Sequence, residues 1–165
     1  MKKLGGIILG VFLFSLTPIQ VEAKSPIYES EVPNDIQIYA ELCSAEYHIC
    51  PELLEAIAYH ESRYQPDVKN GKCVGLMQVN VKVHKDRIKE YGWTEEDMYD
   101  PCKNMIIASD LLQELFEEQE DVVIVLMRYN GDLKAERAYK EYGTLTKYVD
   151  KILKKSAELE REHNK

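Results

Sequence analysis

The chain has 165 residues, 45% of them hydrophobic and 30% charged, with a net charge of -8 at pH 7. That length suits one domain with a core of its own. The acidic balance argues against a protein that grips nucleic acid through a basic surface, and four cysteines without a C-x-x-C pair do not spell a zinc site.

Residues 1–23 read as a secretory signal. Lys2 and Lys3 form the charged start, Ile7 to Leu16 a short apolar run, and Val21-Glu22-Ala23 a small-residue cleavage site. The run is too short for a full membrane span, and an uncleaved N-terminal anchor is the alternative. The chain is therefore expected to be secreted or associated with the cell envelope. After cleavage Cys43, Cys50, Cys73 and Cys102 remain. An even number in an exported chain suggests disulfides, with three pairings open and buried free thiols as the alternative. A Cys43–Cys50 bridge requires a turn, because seven residues of straight helix hold the sulfurs too far apart.

Residues 24–34 form a polar lead-in. Asn34 or Asp35 is a candidate cap for a first helix whose face carries Ile36, Tyr39, Cys43 and Tyr47. Pro51 opens a second helix that runs to Ser62. From Arg63 to Val79 the periodicity fails, and Pro66, Asn70-Gly71 and Gly75 mark a loop. A short helix over Val81 to Tyr91 ends at Gly92, and Thr94-Glu95-Glu96-Asp97 starts another turn. Pro101 opens a long helix with Met105, Ala108, Ser109, Leu112 and Phe116 inward, closing in the acidic run Glu117 to Asp121. Val122 to Met127 is apolar on every side. Its β-branched residues suit a strand, but its neighbours are helical, so a buried helix ended by Asn130-Gly131 is expected. Leu133 to Tyr142 is a polar helix closed by Gly143. Thr144 caps a last helix with Leu145, Tyr148, Val149 and Ile152 inward, and residues 155–165 form a charged, solvated helical tail. The expected fold is all-α: a single domain over residues 35–154 with six or seven helices around a cleft.

One carboxylate stands out. Leu54, Ile57 and Ala58 fall at i, i+3 and i+4, the inward stripe of the second helix, and Glu61 is i+7 on the same stripe. Burial disfavours a charged carboxylate and raises its pKa, which is what a general acid near neutral pH requires. Pro66 stops the helix soon afterwards, so Glu61 lies where a cleft can open. The competing reading is a last-turn glutamate pointing to solvent.

Five motifs then occur in order: Glu61-Ser62-Arg63-Tyr64 with Pro66, Gly75-Leu76-Met77-Gln78, Asp100-Pro101 with Asn104, Tyr129-Asn130, and Tyr148-Val149. In this order and spacing the chain resembles the soluble lytic transglycosylases, the SLT-domain enzymes that share a lysozyme-like fold with goose-type lysozymes. The resemblance covers residues 35–154 and implies a glycan cleft. It implies cleavage of the β-1,4 bond between N-acetylmuramic acid and N-acetylglucosamine in peptidoglycan. Glu61 is then the sole acid and base: it protonates the leaving oxygen and accepts the proton of the sugar's own 6-hydroxyl, leaving a 1,6-anhydromuramoyl end. This departs from the usual pair of carboxylates, although Asp67 and Asp86 remain able to approach in space. The resemblance further implies that Gln78 bonds an acetamido group, that Met77 packs on a sugar face, and that Tyr129 orients the acid or the acetamido group. Asn130 and Tyr148 border the cleft, while Asp100 and Asn104 are structural ties. Each of these also has a plainer reading as a core, cap or loop residue. No metal and no organic cofactor is implied. The expected partners are peptidoglycan strands and, by family analogy, an envelope-spanning secretion or conjugation apparatus, with the chain acting as a monomer.

The chain departs from the family pattern at Asn70, at Lys72-Cys73 in place of a Gly-Ala pair, and at Arg128, where the family has alanine and Gly131 comes one residue early. Arg63 opposes a raised pKa at Glu61 unless its guanidinium turns to solvent. His60-Glu61 lacks the second histidine of a zinc-protease helix, because residue 64 is tyrosine, and His84 reads as a surface histidine. A hydrolytic lysozyme and a glycan-binding scaffold without activity are the alternatives to a transglycosylase. Only the scaffold has no use for Glu61.

Overall fold

The computed structural model describes residues 31–163. The expected signal and most of the lead-in lie outside the described residues. Seven helices carry the fold: α1 (Asn34–Tyr47), α2 (Pro51–Ser62), α3 (Lys85–Glu90), α4 (Pro101–Glu118), α5 (Val122–Tyr129), α6 (Leu133–Tyr142) and α7 (Lys147–Glu162). A 3-10 turn, Glu96–Tyr99, precedes α4. No helix among the described residues is long and apolar enough to cross a membrane.

The helix α2 is the centre of the molecule. Pro51 opens it, and every residue from Glu52 to Ala58 is buried. It packs on α1 and on α7, while α4 packs on α1 and α5. Leu54, Ile57, Leu76, Met105, Leu112, Leu126 and Ile152 fill the space between these helices without solvent exposure. The apolar stretch after Asp121 is the buried helix α5, and Asp121 caps it by accepting from the Val123 amide at 2.9 Å.

The segment expected as a loop is an ordered hairpin ladder. Three two-residue strands, β1 (Lys69–Asn70), β2 (Cys73–Val74) and β3 (Val79–Asn80), pair antiparallel in that order. Lys69 faces Val74, and Val74 in turn faces Val79. Two-residue strands leave no alternating pattern to find. The ladder is clamped by Asn104 of α4, which is fully buried. Its amide nitrogen donates to the carbonyls of Val74 (2.9 Å) and Met98 (2.8 Å), and its oxygen accepts from the Met77 amide at 2.7 Å. Gly75 sits against this clamp at φ 81, and a Cβ there would lie 2.2 Å from the Met98 carbonyl oxygen. The glycine serves a close approach of backbone to backbone.

Four expectations are corrected. Neither Asn34 nor Asp35 caps α1, since extended Pro33 holds that position without a side-chain cap. The cap of α7 is Thr146, which accepts from the Val149 amide at 3.2 Å, rather than Thr144, and Leu145 is 45% exposed rather than inward. The stretch after Lys154 is helical as expected but is not a solvated tail: α7 continues to Glu162, burying Ser156 and Leu159, and the His163 ring meets Glu52 of α2 at 2.9 Å. Val149, Ile152, Ser156, Leu159 and His163 recur at steps of three and four along it, one inward stripe that lays α7 on α2. The four cysteines are free thiols, Cys43 in the core and Cys50 donating to Glu52 at 2.9 Å.

Candidate active site

Helix α2 ends abruptly just beyond Glu61. Arg63 and Tyr64 both take left-handed backbone, at φ 56 and φ 63, and the Arg63 amide donates to Tyr59 O at 3.0 Å. Two consecutive non-glycine residues in this region are costly and turn the chain sharply. The turn leaves the Glu61 side chain in the wall of a cavity of about 410 Å3. The hairpin contributes Asn70, Cys73 and Gln78 to this cavity, α4 contributes Leu111 and Leu115, and the end of α5 contributes Arg128, Tyr129 and Asn130.

The Glu61 carboxylate is held by α7. The Tyr148 hydroxyl donates to Glu61 Oε1 at 2.7 Å. The His60 ring packs edge-on against the Tyr148 ring, with centroids 4.8 Å apart, and fixes its orientation. Burial pushes the Glu61 pKa up, and the Tyr148 bond, which favours the charged form, pulls part of that back. Arg63 does not interfere. Its guanidinium lies over the Tyr59 ring, 4.2 Å from the centroid, on an exposed side chain. Glu61 is the sole carboxylate among the described residues lining the cavity, and Asp67 and Asp86 are exposed elsewhere. Among the described residues no group of three or more His, Cys, Asp or Glu side chains is placed to hold a metal ion.

The other expected site residues divide. Tyr129 lines the cavity, but its hydroxyl donates to Met77 O at 2.8 Å, so it ties the hairpin to α5 rather than bonding the acid. Its phenol is held far up in pKa by burial and then by the nearby charge of Glu61. Met77 is fully buried, so it is a core residue and not a surface for a sugar face. What it gives the site is its main chain, bonded on one side to Asn104 and on the other to Tyr129. Gln78 lines the cavity at φ 49, and its amide nitrogen donates to Val68 O (3.1 Å) and Gly75 O (2.9 Å). The side-chain oxygen is left as its acceptor. Asn130 is exposed at the cavity rim as the C-cap of α5.

Several lining residues were not singled out from the sequence. Leu111 and Leu115 lie four residues apart on α4, at helical spacing beside the inward stripe. His84, read as a surface residue, is half-buried in the wall, and its imidazole is held low in pKa by burial first and by Arg87 second. No short-range pattern marks it.

With this geometry in view, the comparisons with known proteins are specific. The family described as "Transglycosylase SLT domain" matches residues 39–150, and the chain belongs to that family. A curated relative, the X polypeptide of Escherichia coli, is 33% identical over 104 residues, covering 59% of this chain and 61% of the relative. An X-ray structure of an inactive mutant of the lytic transglycosylase Slt from Pseudomonas aeruginosa shares the fold, with a TM-score of 0.69 at 16% identity. The match covers 81% of this chain but 25% of the Slt chain. The chain thus spans about three fifths of the relative and a quarter of the solved protein.

Proposed function

We propose that this chain is a peptidoglycan lytic transglycosylase with Glu61 as its only acid and base. The observation that carries the reading is a cavity lined by one half-buried carboxylate, held by a tyrosine hydroxyl and by no cation. Glu61, whose pKa burial raises, donates its proton to the glycosidic oxygen as the bond from the muramic acid anomeric carbon breaks. The carboxylate so formed keeps the Tyr148 hydroxyl as donor and takes the proton of the sugar's 6-hydroxyl. That oxygen closes on the anomeric carbon, giving a 1,6-anhydro ring and consuming no water. A group that must be neutral in one step and charged in the next is served by opposed influences, here burial, which is the larger, and one hydrogen bond.

Family membership supports the substrate class, and the likeness to a lytic transglycosylase, Slt, supports the reaction class. A secreted or envelope-associated location, a monomeric state and service to an envelope-spanning secretion or conjugation apparatus belong to the same proposal. The deciding experiment is mass spectrometry of purified peptidoglycan after digestion by the chain and by Glu61→Gln. Anhydro ends, one water lighter than reducing ends and missing with the variant, are expected. Hydrated reducing ends would make the protein a hydrolytic lysozyme, and an inert wild type would leave a glycan-binding scaffold.

A further inference from the structure

A second concavity, of about 310 Å3, lies between α2 and α7. Ala56, Tyr59 and His60 fall at i, i+3 and i+4 on α2 with Arg63 at its C-cap, and Lys151, Lys154, Lys155 and Glu158 fall at i, i+3, i+4 and i+7 on α7. The two stripes face each other across the groove. His60 belongs to this groove and its ring touches Tyr148, which holds Glu61, so two side chains separate the groove from the acid.

The groove is cationic on a chain of net charge -8. Lys154 is paired with Asp150 at 2.8 Å, and Lys155 with Glu158 at 3.5 Å and Glu31 at 3.8 Å. Arg63 and Lys151 have no carboxylate partner among the described residues. Both cations act on the His60 ring, which they press toward its neutral form after burial has done so. Arg63 and Lys155 lie over the Tyr59 ring, at 4.2 and 5.3 Å from its centroid. The result is an aromatic floor flanked by unsatisfied positive charge, which suits a planar amide chain carrying carboxylates. A flat lipid surface does not enter a concavity of this kind.

We propose that this groove binds the carboxylate-bearing peptide attached to the glycan strand whose sugar occupies the Glu61 cavity. The proposal rests on the glycan-cleaving reading for the source of that peptide. A peptide of three or four residues reaches roughly 10–14 Å when extended, a span suited to neighbouring sites two side chains apart. The groove then selects strands that still carry their peptides.

The test titrates the full chain with a sugar-free acidic stem tetrapeptide, followed by 15N NMR. Saturable shifts at Tyr59, His60, Arg63 and Lys151 are expected. The double variant Arg63→Gln/Lys151→Gln should bind the peptide at least tenfold more weakly, as should the wild type with a peptide whose carboxylates are amidated. Shifts that avoid the groove, or equal binding by the double variant, overturn the proposal. So does inorganic phosphate binding as tightly as the peptide, or anionic lipid vesicles shifting these residues when the peptide does not. A second arm compares cleavage of peptide-bearing and peptide-stripped glycan. The double variant should raise KM about tenfold on the first alone. Cleavage with equal KM for wild type and variant on both glycans overturns the groove and leaves the glycan reading standing. Peptide shifts without cleavage of either glycan overturn the glycan reading instead.

Discussion

Glu61 on α2 and Glu136 on α6 are both carboxylates drawn out of bulk water, and the chain holds them in opposite states. Glu136 takes a two-pronged bond from Arg128, at 3.1 and 3.0 Å, and one from Lys140 at 2.6 Å. The Arg128 bond and then Lys140 bring its pKa down to about 2. Glu61 has one neutral hydroxyl for company, and burial moves its pKa the other way. Removal from water is common to both, and the presence of a cation decides the sign. The comparison also explains the arginine that departs from the family pattern. Arg128 stands in the cavity wall, but its guanidinium is spent on Glu136 and on Glu118 at 2.9 Å, so it does not quench the acid.

The most direct way to break the contrast is Glu61→Gln. Loss of the acid should lower peptidoglycan cleavage on the order of 10³-fold, read from anhydro products. It should also raise Tm at neutral pH. A carboxylate whose pKa is higher folded than unfolded subtracts stability as pH rises above the ordinary 4.5, and the amide removes that penalty. A lower Tm for the variant would mean that Glu61 is not strained by burial.

The next largest effect concerns the wall that faces the acid. Asn104→Ala leaves the Met77 amide and the Val74 and Met98 carbonyls without their partner, and should cost about 3 kcal/mol in urea unfolding. A loss well below 1 kcal/mol would show the hairpin to be held by its strands alone.

Tyr148→Phe sharpens the contrast without destroying it. The bond it removes favours the charged carboxylate, so the Glu61 pKa should rise further and the alkaline limb of the pH–rate profile should move upward. Activity should fall roughly 10- to 100-fold, since positioning is lost while the acid remains. An unmoved limb would assign Tyr148 to packing.

Glu136→Gln should have the smallest effect on cleavage, within about threefold, because the residue does not line the cavity. Its Tm should be lower by a few degrees at pH 7. A carboxylate with a depressed pKa adds stability above its unfolded value, so the deficit should shrink as pH falls from about 4.5 towards 2. A deficit that persists at pH 2 would point to packing in place of charge.

Much of the scaffold was legible because helices write themselves locally. The bounds of α2, α4 and α6 follow from Pro51, Pro101 and Gly143, and the position of Glu61 follows from its place on the Leu54–Ile57–Ala58 stripe. The hairpin ladder was not legible, since strands of two residues carry no period and their clamp, Asn104, is 27 residues from Met77 in sequence. The last turns of α7 were legible as helix but not as buried, because Ser156 and His163 are polar and do not extend the apolar stripe in the sequence. Met77 and Tyr129 had plausible roles by resemblance, but a motif does not say which side of the backbone a residue buries.

By itself the sequence determined the helical class, the family, and the place of one carboxylate on an inward helical stripe, because spacing along a helix and a short ordered set of motifs are local properties. Tertiary structure alone decided that Tyr148, 87 residues away, holds that carboxylate, that Arg63 turns from it, and that no second acid among the described residues reaches the cavity. A pKa is set by everything within a few ångströms of a group, and those neighbours come from helices that meet only when the chain is folded.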